Sequence, residues 1–503
     1  MTQLILVPIL FQACLAVLLL FFYTKTNTQK VLSVVGSTIN LVIASVLFYN
    51  VWVHGSIAVQ AGNWSAPFGI TFVADTLAVT MVLLTAIIGF AVSVFSAFTI
   101  ARERLRFGYF PILHFLLMGL TGSFLTGDIF NLYVWFEIIL ISSFVLLTIG
   151  SEKKQLEGAV KYFALNMLAS LMFLTGLGIL YGLTGTLNMA DLSAKVALIE
   201  NRGLVNVCAL FFFIGFGIKA ALFPMYSWLP DSYHTPPTAV TAIFSGLLTK
   251  VAVYALIRVF SVVFVIDEFF SQLFIILAVI TIFSGGVGAL VQTNIRKFFS
   301  YLIICHIGYM ILGLGLFNEI ALAGMMFYLI HDIVIKTNLF FISGIIVKMK
   351  GTADMRKLGD LYNDYPKTSL LFAISLFSLI GLPPLSGFWP KVSLILGGIE
   401  ADNYLSVGFI LFGSIITLIV VAKLWAQVFW KTSKLEERKD FCYFDKLQKR
   451  RKVAILFPVV FLTLVTLYLG FGAESVNTLA QRIAGELINV QPYIDTVLQN
   501  QQP

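Results

Sequence analysis

Six ionisable residues lie in otherwise apolar stretches of the sequence, where side chains of this type can carry protons or ions. They are Glu137, Lys219, Lys250, His331, Lys336 and Lys391, and Asp332 and His306 are two further candidates. A lysine or aspartate at the centre of a membrane helix costs about 2.5–3.5 kcal/mol on insertion scales, and such residues usually face the protein interior and mark ion or proton paths. The set predicts a row of groups that transfers charge laterally between two half-channels.

The types and spacings of these residues suit proton transfer. Glu137 lies in GDIFNLYVWFEIIL, with apolar residues on both sides. A carboxylate paired with a lysine stabilises both charges, and separating the two lets each relax toward its neutral form. Asp332 and Lys336 are four residues apart and can pair on one helix face, while His331 can relay protons near neutral pH. The alternative for Glu137 is a purely structural role, in which a neighbouring helix satisfies the polar atoms of its carboxylate.

Two of the lysines stand beside predicted interruptions of membrane helices. Lys219 lies in FGFGIKAALFPMYSWLP, and Lys391 follows a run of prolines in GLPPLSGFWPKVSLIL. Proline removes a helical hydrogen bond and glycine weakens the helix, and broken helices at membrane depth line cavities. The two lysines are about 170 residues apart, as are Lys250 and Lys423. This recurrence predicts two inverted five-helix repeats, over residues 109–262 and 263–430.

The amino-acid composition indicates that membrane-spanning helices position these residues. Of 503 residues, 59% are hydrophobic and 12% are charged, whereas soluble domains carry about 25% charged residues. Soluble enzymes, disordered proteins and nucleic-acid binders are therefore excluded, and long continuous apolar runs exclude a β-barrel. The pattern predicts an all-α polytopic membrane protein with about fourteen spans. Their limits are 3–23, 31–53, 72–99, 109–127, 129–150, 160–182, 204–228, 236–262, 270–292, 298–316, 320–347, 369–397, 404–430 and 453–471.

The basic residues predict the orientation of these spans. Loops after odd-numbered spans hold 24 of the 33 Lys and Arg residues, the opposite loops hold 4, and the other five lie inside spans. The positive-inside rule then places both termini outside a bacterial cell membrane. The net charge of +8 follows from this orientation. The basic segment 431–452 is predicted to be a cytoplasmic orientation signal, with contact to anionic lipid as the alternative.

Both ends of the chain lie outside the predicted repeats. Residues 1–108 form a predicted three-helix segment, and residues 453–503 form the last span and a tail. In the tail, apolar residues repeat every three or four positions, which predicts an amphipathic helix. These residues are Val476, Leu479, Ile483, Leu487 and Val490. Resting on the membrane surface and docking on a partner subunit are both open for this helix.

No cofactor is predicted. The sequence contains no Walker motif and no G-x-G-x-x-G after a strand, so energy must come from a gradient or a partner. Its intramembrane histidines are too few for paired haem ligands. Its four cysteines are far apart and form no C-x-x-C pair, which disfavours a disulfide framework or a cysteine metal site. Binding of another metal is left open.

Several stretches carry a family resemblance over roughly residues 1–430. They are VAD at 73–75, LTGDIFNLYVWFE at 125–137, GTLNMADL at 185–192, KAALFPMYSWLPDSYHTPPTAV at 219–240, GLLTKVAVYALIR at 246–258, HDIVIK at 331–336 and GLPPLSGFWPK at 381–391. In combination the chain resembles the antiporter-like subunits shared by respiratory complex I and multisubunit cation/proton antiporters. The first, third and fourth stretches favour the D subunits of Mrp-type Na+/H+ antiporters over complex I.

The resemblance implies roles for individual residues. The family's glutamate falls on Glu137, its broken-helix lysines on Lys219 and Lys391, and its central lysine on Lys250. The family's eleventh-span histidine and lysine match His331 and Lys336. Asp332 departs from the family pattern, because a second histidine or an apolar residue is more usual there. Thr337 and Asn338 also depart from it, since they replace small apolar residues.

The resemblance also implies an assembly and an activity. It implies fourteen helices, a complex with other membrane subunits and export of Na+ in exchange for H+. The chain is then a non-enzymatic secondary transporter subunit in contact with membrane lipid, without a nucleic-acid partner. The alternative is a proton-pumping membrane subunit of a complex I-like oxidoreductase or a membrane hydrogenase. A purely structural membrane scaffold fits poorly with five lysines inside spans.

Overall fold

The computed structural model describes residues 2–433 and 444–498 as a bundle of helices. The middle of the predicted basic segment 431–452 and the last residues of the tail lie outside the described residues. In the described part, the chain returns to helix at Lys449, so the last basic residues of that segment begin the final span.

Twelve helices in the described residues are long and apolar enough to cross a membrane. They are Gln3–Phe21, Thr26–His54, Thr76–Thr99, Ile129–Thr148, Lys153–Thr184, Arg202–Ala220, Thr238–Val262, Glu268–Val291, Ile295–Leu316, Glu319–Lys350, Tyr404–Trp430 and Lys449–Phe471. Two shorter apolar helices, Tyr109–Leu125 and Pro366–Ile380, occupy the other predicted spans. The polytopic helical class is confirmed. The number fourteen and the inverted repeats remain predictions.

One small sheet accompanies the helices and shifts the start of one predicted span. Residues Ile57–Gln60 and Thr71–Ala74 pair as a two-stranded antiparallel sheet. The predicted span 72–99 therefore starts later, at Thr76, because Asp75 caps the helix by accepting a hydrogen bond from the backbone N–H of Ala78. The apolar residues just before Asp75 are buried in a strand, and short buried strands and helices share the same apolar pattern.

Both predicted helix interruptions are present. The helix Arg202–Ala220 ends where Ala221 adopts left-handed backbone angles, and the chain resumes as Trp228–Tyr233. The helix Pro366–Ile380 ends at Gly381, which adopts φ +88° at little steric cost, and resumes as Phe388–Glu400. We call residues 221–227 the first break and residues 381–387 the second break. Each break leaves backbone groups that side chains must satisfy.

The helices Thr238–Val262 and Glu319–Lys350 form the centre of the bundle, and nearly all of their residues are buried. They approach each other closely because a side chain on Gly246 would collide with Thr337, and one on Gly344 would collide with Thr238. Small residues allow this close packing of membrane helices. The two helices carry Lys250, Asp332 and Lys336, so their contact sets the geometry of the site.

The tail forms two helices, Ala473–Ile488 and Gln491–Leu498. The amphipathic helix is confirmed, but its apolar face packs against the chain's own helices rather than being free for a membrane surface or a partner. Val476, Ile483 and Leu487 are buried. Arg482 donates to the carbonyl of Trp52, and Glu486 accepts from the hydroxyl of Thr76. The pattern predicts an apolar face correctly, but it does not specify what covers that face.

Candidate functional site

Four ionisable side chains meet in the buried interior, and we call them the central cluster: Lys250, His306, Asp332 and Lys336. The Asp332 carboxylate lies 2.7 Å from Lys250 Nζ and 2.9 Å from His306 Nδ1. Lys336 Nζ is farther, at 3.9 Å. All of these side chains are essentially inaccessible to solvent. The predicted pair between Asp332 and Lys336 is therefore the longer contact, and Lys250 is the principal partner.

The central cluster contains two lysines and one carboxylate. Lys336 Nζ has no hydrogen-bond partner among the described residues, whereas Lys250 Nζ also donates to the carbonyl of Ser245 at 2.8 Å. An isolated buried ammonium is costly unless it is paired. Lys336 is therefore the less well satisfied of the two lysines.

A local distortion of the helix positions Lys250. Residues Phe244–Leu248 form a π-helical segment that runs directly into the helix Thr249–Val262. Such segments are rare and frequently occur at functional sites. The carbonyl that Lys250 binds, Ser245, lies inside this segment. The amino group is thereby held between a backbone carbonyl and Asp332.

Glu137 and Lys219 form a looser arrangement. Their charges are close enough to attract each other, yet no direct ion pair joins them in the described structure. Lys219 Nζ instead donates to Ser170 Oγ at 3.0 Å and lies 5.1 Å from the centroid of the Phe136 ring. Glu137 Oε1 is buried and has no hydrogen-bond partner among the described residues. Both groups therefore retain unfilled bonding capacity.

A small cavity lies beside Lys219. Its volume is about 20 Å³, and a site of about 10–15 Å³ is enough for one water molecule. Tyr162, Asn166 and Lys219 line it, and so do Leu248 and Val251 from the helical segments next to Lys250. The cavity thus lies between Lys219 and the helix that carries Lys250.

The distal residues surround the second break. His331 Nδ1 lies 2.8 Å from Ser386 Oγ, which is 2.8 Å from Ser378 Oγ. Lys391 Nζ donates to the carbonyl of Ile380 at 2.7 Å, the last residue before the break. Near the first break, the carbonyl of Ile218 accepts from Trp228 Nε1 at 3.0 Å and also from the backbone N–H of Ala221. Lys391 therefore satisfies the last carbonyl of one interrupted helix, whereas the indole of Trp228 adds a second donor to a carbonyl of the other.

The structure also shows a buried ion pair that the sequence reasoning missed. Arg258 is one of the four basic residues that the orientation count assigned to the opposite loops, but it is buried near the end of the helix Thr249–Val262. Its guanidinium lies 2.6 Å from the carboxylate of Asp75 and also donates to Tyr254 Oη. Lys250, Tyr254 and Arg258 follow each other at four-residue spacing, so they share one helix face. That spacing was the available signal.

Burial raises the pKa of two acidic groups outside the spans, Asp128 and Glu486. Burial raises the pKa of Asp128 to about 6, against the hydrogen bond that its carboxylate accepts from Asn131 N. Burial also raises the pKa of Glu486, with Asp75 contributing in the same direction. Neither group was among the predicted site residues. Asp128 lies next to the span that carries Glu137, and Glu486 contacts the first turn of the helix Thr76–Thr99.

Interrupted helices and buried ionisable groups inside a many-span bundle define the class of ion- or proton-transporting membrane proteins. The chain belongs to the family described as NADH:quinone oxidoreductase/Mrp antiporter, TM, whose pattern matches residues 126–417. This confirms the resemblance inferred from the sequence. The matched region contains all six principal candidate residues.

Individual relatives agree with this assignment. A relative from Alkalihalophilus pseudofirmus, named as the D subunit of a Na(+)/H(+) antiporter, is 39% identical over 99% of this chain and 100% of the relative. A chain in the structure of the Mrp complex from a Dietzia species superimposes with a TM-score of 0.89 at 26% identity. A chain of an archaeal membrane-bound sulfane sulfur reductase gives 0.86 at 26% identity. Both superpositions cover 99% of this chain and 100% of the other.

Proposed function

We propose that this chain is the proton-translocating subunit of a multisubunit Na+/H+ antiporter. The observation that supports the proposal is the presence of three sets of buried ionisable groups, namely Glu137 with Lys219 at the small cavity, the central cluster, and Lys391 at the second break. The coupling to Na+ is proposed because the chain matches, over the full length, relatives that are named as D subunits of Na(+)/H(+) antiporters. The chain then works in a cell membrane beside other membrane subunits, with both termini outside.

In this proposal the two regions have different tasks. Glu137 and Lys219 exchange a proton, because Glu137 has an unsatisfied carboxylate oxygen and Lys219 lines a cavity that fits one water molecule. Lys336 carries the proton through the central cluster, because Asp332 already pairs with Lys250 and leaves the Lys336 amino group unsatisfied. His331 and Lys391 relay it through the hydroxyl groups of the second break.

A redox-driven pump subunit is the second candidate. It rests on the similar fold of a chain in an archaeal respiratory membrane complex. The buried row serves both functions, because a proton path is needed whatever drives it. The full-length identity to proteins named as D subunits of antiporters favours the antiporter.

The test is collapse of a pre-formed pH gradient by added Na+ in inverted vesicles that carry the whole complex, with the respiratory chain inhibited. We expect collapse with the wild type and none with Lys219→Ala. Lys423→Ala is the matched control, because Lys423 Nζ donates to the carbonyl of Leu290, near a helix end and away from the row. A Lys219→Ala complex that exchanges at the wild-type rate would refute the path. A fully assembled wild type without a Na+ response would favour the redox pump.

A further inference from the structure

A groove of about 580 Å³ opens between the helices Thr26–His54, Thr76–Thr99 and Lys449–Phe471. Its walls are mostly apolar and its polar residues lie at one end. The apolar residues are Val31, Val34, Val35, Val94, Ala97 and Phe98. Asn27, Lys30 and Arg451 also line it, and each lies close to the end of its helix. The groove therefore combines an apolar channel with a basic mouth. None of its lining residues belongs to the central cluster.

The mouth carries an excess of positive charge. Lys30 is close enough to Arg451 and Arg102 to be repelled by both. Arg451 is held in place because its Nη2 donates to the carbonyl of Phe98 at 3.3 Å. In the part of the chain that the structure describes, neither Lys30 nor Arg451 forms an ion pair with a carboxylate. Like charges gathered in this way favour a bound anion.

We propose that this groove binds an anionic phospholipid, with the phosphate between Lys30 and Arg451 and an acyl chain along the valines. Water alone does not suit the walls, because a water molecule occupies only about 30 Å³ and needs polar partners. A soluble anion leaves the valines uncovered, and an apolar helix of another subunit leaves the cations unpaired. The basic end belongs to the side that the positive-inside rule places in the cytoplasm, where anionic lipids attract basic residues.

Three variants separate charge from shape. Lys30→Gln combined with Arg451→Gln removes the basic mouth and keeps polar side chains. Val35→Trp fills the apolar channel and keeps both charges, because Val35 lines the groove with half of its surface exposed. Lys25→Ala is the matched control, since Lys25 lies at the same end of the same helix but is exposed and does not line the groove.

The experiment counts lipids retained by the purified whole complex after equilibration with vesicles of phosphatidylglycerol and phosphatidylcholine, using native mass spectrometry. We expect phosphatidylglycerol to be retained by the wild type and by Lys25→Ala. The double glutamine variant should bind it roughly 25-fold more weakly, because each basic residue near an anionic surface contributes about a fivefold factor. Val35→Trp should also lose it. Equal retention of both lipids, or unchanged retention in the variants, would overturn the proposal.

A second measurement identifies a protein occupant and does not depend on the double variant assembling. A photo-reactive amino acid placed at position 35 of the whole complex should form an adduct with lipid. An adduct with another subunit at this position would show that a protein covers the groove, and the lipid assignment would then be wrong.

Discussion

The Glu137–Lys219 region and the central cluster hold buried charges in opposite ways. In the central cluster, Asp332 lies within hydrogen-bonding distance of both Lys250 and His306. Around Lys219, no direct ion pair with Glu137 forms in the described part of the chain, and a small cavity remains. The central cluster therefore fixes its charges, whereas the Glu137–Lys219 region leaves room for a water molecule and for movement.

The difference shows which buried charges are suited to exchange protons. A buried carboxylate in a direct ion pair, such as Asp332 with Lys250, is costly to disturb, because removing one partner leaves an uncompensated charge. A carboxylate with an unsatisfied oxygen and a lysine beside a cavity can change partners with small displacements. We infer that proton exchange begins at Glu137 and Lys219, and that the pair of Lys250 and Asp332 provides a fixed field around Lys336.

The largest expected effect is on the stability of the central cluster. Asp332→Ala leaves two lysines without a carboxylate, and loss of one partner of a buried pair costs about 3–5 kcal/mol. We expect a large fall in the melting temperature of the purified complex. The control is Asp191→Ala, which breaks the partly exposed pair with Lys195 and should cost less than about 1 kcal/mol. Equal melting of the two variants would remove the distinction between fixed and exchangeable charges.

The two breaks provide a second, smaller contrast. Lys391→Met removes the side-chain donor from the carbonyl of Ile380, and loss of a buried hydrogen-bond partner costs about 1–3 kcal/mol. Trp228→Phe removes one of two donors from the carbonyl of Ile218, which keeps the backbone N–H of Ala221. We expect the larger loss of thermal stability in Lys391→Met. Exchange activity should be lost in Lys391→Met and largely kept in Trp228→Phe, because phenylalanine keeps an aromatic ring where Trp228 lines the small cavity. Full activity in Lys391→Met would place the end of the path elsewhere.

The smallest expected effect concerns Asp128, a buried carboxylate that forms no ion pair with the described residues. Its folded-state pKa is raised from 3.8 to about 6. The contribution of Asp128 to stability is therefore greatest below about pH 4 and is lost as the pH rises through about 6. Asp128→Asn keeps the helix cap and cannot titrate. We expect its melting temperature to vary less than that of the wild type between pH 4 and 7. Identical pH profiles would contradict this.

Local sequence features predicted much of the fold. The spans follow from runs of about 20 apolar residues, and the interruptions follow from glycine and proline near Lys219 and Lys391. The strand at Thr71–Ala74 was missed because its apolar residues merge with the following helix. The burial of the tail was missed because amphipathicity does not identify what covers an apolar face.

The individual site residues could be predicted from the sequence, but not which of them pair with each other. Asp332 was expected beside Lys336, four residues away, because local spacing is all that one sequence shows. The structure pairs it with Lys250 and His306 from other helices, and such contacts depend on how the helices pack. Asp332 and His306, the lower-ranked candidates, therefore lie at the centre. Lys250, Tyr254 and Arg258 did share a visible four-residue spacing.

The most direct test of the account compares Glu137→Gln with Asp332→Asn in the same purified and reconstituted complex. Both Na+-driven proton exchange and the melting temperature would be measured for each variant. We predict that Glu137→Gln loses exchange at an almost unchanged melting temperature, whereas Asp332→Asn loses both exchange and thermal stability. Exchange that survives in Glu137→Gln, or an Asp332→Asn complex as stable as the wild type, would contradict it.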